Sequence, residues 1–225
     1  LDAPVAFKNS PSKEPWQPQN FSKTYSGEMT FRNALAKSKN IPAVRLIQML
    51  GPSTVVQFAH AMGISSGLSP ELSLALGTGE ISLLDLTRAY SVFPNKGRAV
   101  KPFSIMAVDD PAGRTIWHPK AEKKLVMSEA GAAIVTDMLV AVVQDGTGRK
   151  AQMLHRTVAG KTGTTDDFKD ALFVGFSPNT AAGVWVGRDS GGTLGDQETG
   201  AKAALPIWIQ FMRTVLTAGA NQTFD

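Results

Sequence analysis

Through the first half of the chain apolar residues recur at helical spacing, and in the last third they gather into strand-length runs. Residues 1–28 carry Pro4, Pro11, Pro15 and Pro18 with few periodic apolar positions, so this opening segment is expected to be extended and irregular. Thr30 reads as the N-cap of a short helix with Phe31, Ala34 and Leu35 on one face, ending near Ser38 to Asn40. Pro42, at a first-turn position, opens a second helix carrying Val44, Leu46, Ile47 and Leu50, which Gly51 stops. Pro52 to Met62 repeats the pattern and closes at Gly63. Ser82-Leu83-Leu84-Asp85 has the form of a capping box for a helix through Tyr90 and Phe93, ended by Asn95-Lys96-Gly97. Phe103 to Val108 and Thr115 to His118 flank the turn composition Asp109-Asp110-Pro111-Ala112-Gly113 and predict a hairpin. Ser128 caps a long helix to about Gln144, and Gly146-Thr147-Gly148 breaks it.

Beyond residue 150 the period changes. Arg156 to Thr164, Ala171 to Phe176 and Ala181 to Gly187 predict an antiparallel meander, and residues 199–217 a closing helix whose start Pro206 kinks or delays. The fold class is therefore α/β in the α+β sense: an antiparallel sheet flanked by helices. It is organised as a mainly helical part over 1–150, followed by sheet strands and a closing helix over 151–225.

With 225 residues and 43% hydrophobic composition there is room for a sizeable core in one large domain or two small ones. A net charge of +4 and a pI near 9.4 come from scattered basic residues, which argues against a nucleic-acid surface. No cysteine is present, which removes disulfides and thiolate metal sites and is compatible with an oxidising periplasm. His60, His118 and His155 lie far apart without ligand-spaced companions, so neither a metal nor another cofactor is implied. The longest apolar run, Gly131 to Val143, is interrupted by Asp137 and falls short of the roughly 18 residues a membrane span requires. Leu1 opens the chain without a methionine or a signal-like segment, and the expectation is a piece of a longer protein.

The chemistry concentrates in Val158-Ala159-Gly160-Lys161-Thr162-Gly163-Thr164-Thr165. A lysine and neighbouring hydroxyls on one strand suit an anion, because a fixed cation and charge-assisted hydrogen bonds converge on it. Strand alternation sends Lys161 and Gly163 one way and Thr162 and Thr164 the other, so a twisted edge beside a cleft has to reconcile them. Upstream, Ser38-Lys39-Asn40 sets a Ser-x-Asn at a helix end. Taken singly, Lys-Thr-Gly also fits a solvated strand, and Ser-x-Asn also fits a helix terminus that satisfies its own backbone. Other motifs fail on context. Gly160-Lys161-Thr162 has His155 where a phosphate loop needs its first glycine. Gly63-Ile64-Ser65-Ser66-Gly67 follows a helix rather than the strand of a nucleophile elbow, and Gly146-x-Gly148-x-x-Ala151 does not open a dinucleotide-binding helix.

Taken together and in order, the blocks Thr30 to Ala36, Ser38 to Asn40, Ala75-Leu76-Gly77, Leu86 to Tyr90, Asp145 to Gly148, Lys161 to Thr164, Phe173-Val174-Gly175 and Val184 to Gly187 resemble the transpeptidase domain of class A penicillin-binding proteins over nearly the whole chain. The resemblance implies a β-lactamase-like fold and a serine acyl transfer that cross-links peptidoglycan. By it, Ser38 relays a proton between a catalytic lysine and the leaving amine, and Asn40 holds the substrate amide carbonyl and orients that lysine. Lys161 supplies positive potential, Thr162 and Thr164 bind the carboxylate of an acyl-D-Ala-D-Ala stem peptide, Gly163 is a spacer, and the Thr164 N–H forms half of the oxyanion hole. β-Lactams are expected to bind as donor mimics. The parent protein is expected on the extracytoplasmic face of a bacterial inner membrane, with a membrane anchor and a glycosyltransferase domain of its own.

The family's nucleophile lies in a Ser-x-x-Lys at the start of a buried helix. The one literal match, Ser10-Pro11-Ser12-Lys13, sits in the proline-rich segment without an apolar helical continuation and is set aside. The true pair is expected upstream of Leu1, which leaves this portion inactive alone and the strand near Val184 without its neighbour until the missing N-terminal part, or a partner chain, covers it. Asp166 stands where the family often has asparagine, and Leu172 where it often has an aromatic. Two other functions fit less well: a noncatalytic penicillin-sensing or scaffold module of the same fold, and an esterase using Ser65.

Overall fold

The computed structural model describes residues 1–7, 14–216 and 222–224. Six α-helices are described: α1 (Phe31–Ala36), α2 (Asn40–Leu50), α3 (Pro52–Ala61), α4 (Leu83–Ser91), α5 (Glu129–Gln144) and α6 (Ala204–Val215). Short 3-10 turns cover Leu72–Leu76, Arg149–Leu154 and Asp166–Phe168. The strands are β1 (Arg98–Val100), β2 (Val108–Asp109), β3 (Thr115–Trp117), β4 (Lys123–Leu125), β5 (Ala159–Thr164), β6 (Ala171–Phe176) and β7 (Ala181–Val186). Ser10 to Lys13, the literal Ser-x-x-Lys, lies outside the described residues.

The expected caps are in place. Thr30, Ser82 and Ser128 each accept the N–H three residues on, from Asn33 at 3.2 Å, Asp85 at 3.1 Å and Gly131 at 3.1 Å, which satisfies one orphan donor at each helix start. Helix α2 opens at Asn40, two residues before the expected Pro42. Pro42 still falls in the first turn, where its missing N–H is one of the groups with no intrahelical partner. Helix α6 begins at Ala204 rather than near 199, with Pro206 again in the first turn. The strand expected from Arg156 starts at Ala159. The hairpin is real but shorter than its apolar runs: Val108 pairs with Trp117 and Asp109 with Thr115, while residues 101–107 stay outside the ladder.

Strands β5, β6 and β7 form the expected antiparallel meander, with Lys161 opposite Val174, Thr162 opposite Phe173, and Phe173 opposite Val184. Among the described residues β5 and β7 each leave one edge unpaired. Strand β6 is central and covered on both faces, which is why Ala-Leu-Phe-Val-Gly-Phe reads as a continuous apolar run. Phe173 meets Trp208 of α6 at 4.9 Å between ring centroids in an edge contact, and Trp208 Nε1 donates to Ala182 O at 3.0 Å. Three residues on, Phe176 faces the opposite side and packs with Leu139 and Val142 of α5. A Cβ at Gly175 would stand 2.9 Å from Trp208 Cζ2, so the sheet admits the indole only because that position is bare. Helix α5 thus lies against β5, and through α1 it carries the sheet toward the Ser38 corner.

Candidate active site

Helix α1 ends in a Schellman motif: Lys39 N–H donates to Ala34 O at 2.9 Å and Ser38 N–H to Leu35 O at 3.1 Å. The first residue past the C-cap, usually glycine in this motif, is Ser38 at φ +52°. A serine held in the left-handed region costs on the order of 1 kcal/mol or more, and such positions gather at functional sites. The conformation places Ser38 Oγ where it accepts a hydrogen bond of 2.7 Å from Lys161 Nζ, across 123 positions of sequence.

Lys161 Nζ also donates to Thr162 O at 2.9 Å and lies 3.5 Å from Thr162 Oγ1. Burial disfavours its charged form and lowers its pKa to about 8, with no carboxylate paired to it among the described residues. The cation is therefore held in reserve, surrounded by neutral oxygens. The Thr162 hydroxyl pairs with Thr147 Oγ1 at 2.6 Å. Thr164 is exposed at the end of β5, and its Oγ1 accepts from Gly200 N at 3.1 Å, which leaves its own proton to donate. Gly163 carries no side chain, and a Cβ there would meet Leu172 Cβ at 3.2 Å.

Asn40 lies two residues beyond Ser38, yet its Nδ2 donates to Gln19 O at 2.7 Å, so one of its two amide protons is engaged by the N-terminal segment. That segment also fixes the start of α2. Lys39, the N-cap residue, offers no side-chain cap; instead Asn20 Oδ1 accepts from Asn40 N at 2.9 Å and Ile41 N at 3.4 Å. Asn20 Nδ2 donates to Asp2 Oδ1 at 2.7 Å and to Thr24 O at 2.8 Å. The fully buried Asp2 carboxylate also receives Ser26 N at 2.9 Å and the Lys39 ammonium at 3.2 Å. Burial pushes its pKa up, but the Asn20, Lys39 and Ser26 hydrogen bonds and the Lys39 charge outweigh that and hold it below the usual carboxylate range.

The structure thus brings Ser38, Lys161 and Thr162 together, sets Thr164 on the same strand, and turns the Asn40 amide toward Gln19. No sequence motif marks Asp2, Asn20 or Gly200, and the Asp145 to Gly148 block by itself gives Thr147 no role. Ser65 is elsewhere, with both its N–H and its hydroxyl held by Asp85 Oδ2, and its hydroxyl proton is thereby committed to a carboxylate.

Residues 2–208 match the family described as the penicillin binding protein transpeptidase domain. Penicillin-binding protein 1A of Aquifex aeolicus is 45% identical over 226 aligned positions, covering 100% of this chain and 31% of that protein. Penicillin-binding protein 1A of Neisseria meningitidis is 37% identical over 96% of this chain and 28% of its own length. The crystal structure of penicillin-binding protein 1A from Haemophilus influenzae superposes with a TM-score of 0.93 at 27% identity, covering all of this chain and 39% of that one. PonA1 of Mycobacterium tuberculosis in complex with penicillin V superposes at 0.80 with 23% identity, a likeness of fold, over 99% of this chain and 64% of that one. The chain spans about a third of the length of the relatives it matches in sequence. With the lysine strand and the serine corner joined in one site and the match running from residue 2 to 208, the chain belongs to the penicillin-binding protein transpeptidase family, as part of a class A transpeptidase domain.

Proposed function

We propose that this chain supplies the carboxylate-binding and proton-relay side of a serine D,D-transpeptidase that cross-links peptidoglycan stem peptides. The observation that carries the reading is the 2.7 Å contact between Lys161 Nζ and Ser38 Oγ, which joins two motifs of the family in one place. We assign the acylated serine and its activating lysine to a part of the protein outside these 225 residues, so this portion alone is inactive.

In that reaction the serine Oγ attacks the penultimate D-Ala carbonyl, an ester C–O bond forms, the peptide C–N bond breaks, and terminal D-Ala leaves as an amine that gains one proton. The nucleophile's lysine takes the serine proton, and Ser38 passes it on to the leaving nitrogen. The geometry supports this because a charged Lys161 can only donate, so it occupies a lone pair of Ser38 Oγ and leaves the serine proton free to move. An acceptor amine of a second stem peptide then attacks the ester and returns the serine. The terminal carboxylate sits against the Lys161 charge and the Thr162 and Thr164 hydroxyls. The unpaired edge of β5 offers backbone groups to the extended peptide. Asn40 uses its remaining amide proton on the substrate carbonyl, and the Thr164 N–H contributes to the oxyanion hole.

The complex of the structurally similar PonA1 with penicillin V supports binding of a β-lactam here as well. The substrate places the parent protein on the extracytoplasmic side of the bacterial inner membrane. No described helix is long and apolar enough to cross a membrane.

The test is to treat the full-length protein with a fluorescent penicillin and map the labelled peptide. The expected adduct is on a serine followed three positions later by lysine, and Lys161→Ala lowers the labelling rate by about 10²-fold, the usual loss when one preorganised charge is removed. A folded protein that forms no covalent adduct refutes the enzymatic reading and leaves a scaffold.

A further inference from the structure

The loop Gly146-Thr147-Gly148, which follows α5, is wedged between the two halves of the site. A Cβ at Gly146 would stand 2.2 Å from Ala36 O, and Thr147 N–H donates to that same carbonyl at 3.1 Å, two residues before Ser38. Gly148 N–H returns to Val142 O at 3.0 Å and anchors the loop on α5. From this fixed backbone Thr147 Oγ1 reaches Thr162 Oγ1 at 2.6 Å. One residue therefore bonds to the helix that presents Ser38 and to the strand that presents Lys161.

The direction of the hydroxyl pair follows from counting protons. A hydroxyl has one proton and two acceptor sites. The Lys161 ammonium, 3.5 Å from Thr162 Oγ1, has no lone pair and takes one of those acceptor sites as a donor. If Thr162 gave its proton to Thr147, it would show only lone pairs to an arriving carboxylate, which is repulsive. If Thr147 donates instead, both acceptor sites of Thr162 are filled and its proton points outward. Thr147 Oγ1 has no other hydrogen bond among the described residues, so its proton is available.

We propose that Thr147 is a positioning residue for substrate recognition, donating to Thr162 Oγ1 so that the Thr162 proton faces the substrate carboxylate. The proposal rests on the carboxylate role given to Thr162 above. It assigns a function to the Gly-Thr-Gly loop: the flanking glycines let the backbone close on Ala36 and α5, and the threonine between them sets the polarity of its neighbour.

The experiment compares acylation of the full-length protein by benzylpenicillin and by its methyl ester, each in competition with a fluorescent penicillin. The preference for free acid over ester is a ratio of rates on the same molecules, so it does not depend on the fraction folded. In Thr147→Val this preference falls about tenfold, the equivalent of one net hydrogen bond, and almost wholly through the acid. Thr147→Ser keeps the donor and stays within about threefold of the parent ratio, under 1 kcal/mol. In a Thr162→Val background, Thr147→Val has no further effect on the ratio. Parallel losses for acid and ester, or an unchanged ratio, overturn the role of Thr147 while leaving the transpeptidase reading intact. Failure of the unsubstituted protein to be acylated overturns both.

Discussion

Replacing Asn20 with leucine tests the N-terminal network that holds the Ser-x-Asn helix. Asn20 is 3% exposed and makes four contacts: with Asp2 Oδ1, Thr24 O, Asn40 N and Ile41 N. Leucine is similar in size, so the cavity contribution is small and the polar losses dominate. Loss of the acceptor at the start of α2 costs about 1 kcal/mol, as for a missing N-cap. The bond to Thr24 O is worth about 1 kcal/mol, and the charge-assisted bond to the buried Asp2 about 2 kcal/mol. Burial of the new methyl groups returns about 1 kcal/mol, leaving a net loss of about 3 kcal/mol and, in a domain of this size, a fall in Tm of about 10 °C. Urea unfolding of the chain followed by tryptophan fluorescence measures it. The pH dependence supplies a second check. A depressed folded-state pKa means that Asp2 stabilises the fold above its unfolded value near 3.8 and that this contribution disappears as pH falls through the folded value. The variant raises the folded pKa, so the gap between the two proteins is widest at neutral pH and narrows below about 4. A loss under 1 kcal/mol, or a gap that is the same at pH 3 and pH 7, refutes this account of the network.

Other substitutions separate the remaining claims. With its folded pKa lowered to about 8, Lys161 binds fewer protons in the native than in the unfolded chain between pH 8 and about 10.4, so its contribution makes stability rise over that window. Lys161→Met removes this rise, and a stability difference between the two proteins that is flat from pH 7 to 11 contradicts the buried-ammonium reading. Ser38→Gly and Ser38→Ala both abolish the hydroxyl, so their difference isolates the left-handed backbone at φ +52°; glycine is expected to be the more stable by about 1 kcal/mol in chemical unfolding. Equal stabilities would mean that the Schellman turn rearranges. Gly175→Ala drives a methyl against Ala159 O at 2.7 Å and Trp208 Cζ2 at 2.9 Å, so the fold is destabilised by about 2 kcal/mol or more; a calorimetric Tm within 2 °C of the parent would show that α6 yields more easily than its packing suggests.

The parts of the fold that sequence reading captures are those written locally. Thr30, Ser82 and Ser128 announce helix starts because a short hydroxyl side chain closes on a backbone N–H three residues away. The meander is equally open to view, since β6 is apolar from end to end and its neighbours are bounded by turns. What escapes is non-local. Strands β1 and β4 pair Arg98 with Leu125 and Val100 with Lys123, but three residues are too few to establish a period. The start of α2 depends on an asparagine twenty positions upstream, so Pro42 alone misplaces it by two residues. The site divides in the same way. Lysine, serine and threonine in family-like order are visible as letters, whereas the Thr147 hydroxyl becomes meaningful only once Gly146 has closed on Ala36.

Lys39, the middle residue of the Ser-x-Asn triplet, is conventionally treated as free to vary, but here its ammonium neutralises the buried carboxylate of Asp2. Losing that charge alone would strand an anion beneath the Ser38 corner, and losing the acid alone would strand a cation there. The two positions are thus expected to be inherited as a pair. Relatives with a neutral residue at the centre of the triplet are expected to have exchanged the distant aspartate as well, and chimeras that join a foreign amino-terminal stretch to this helix succeed or fail on that match.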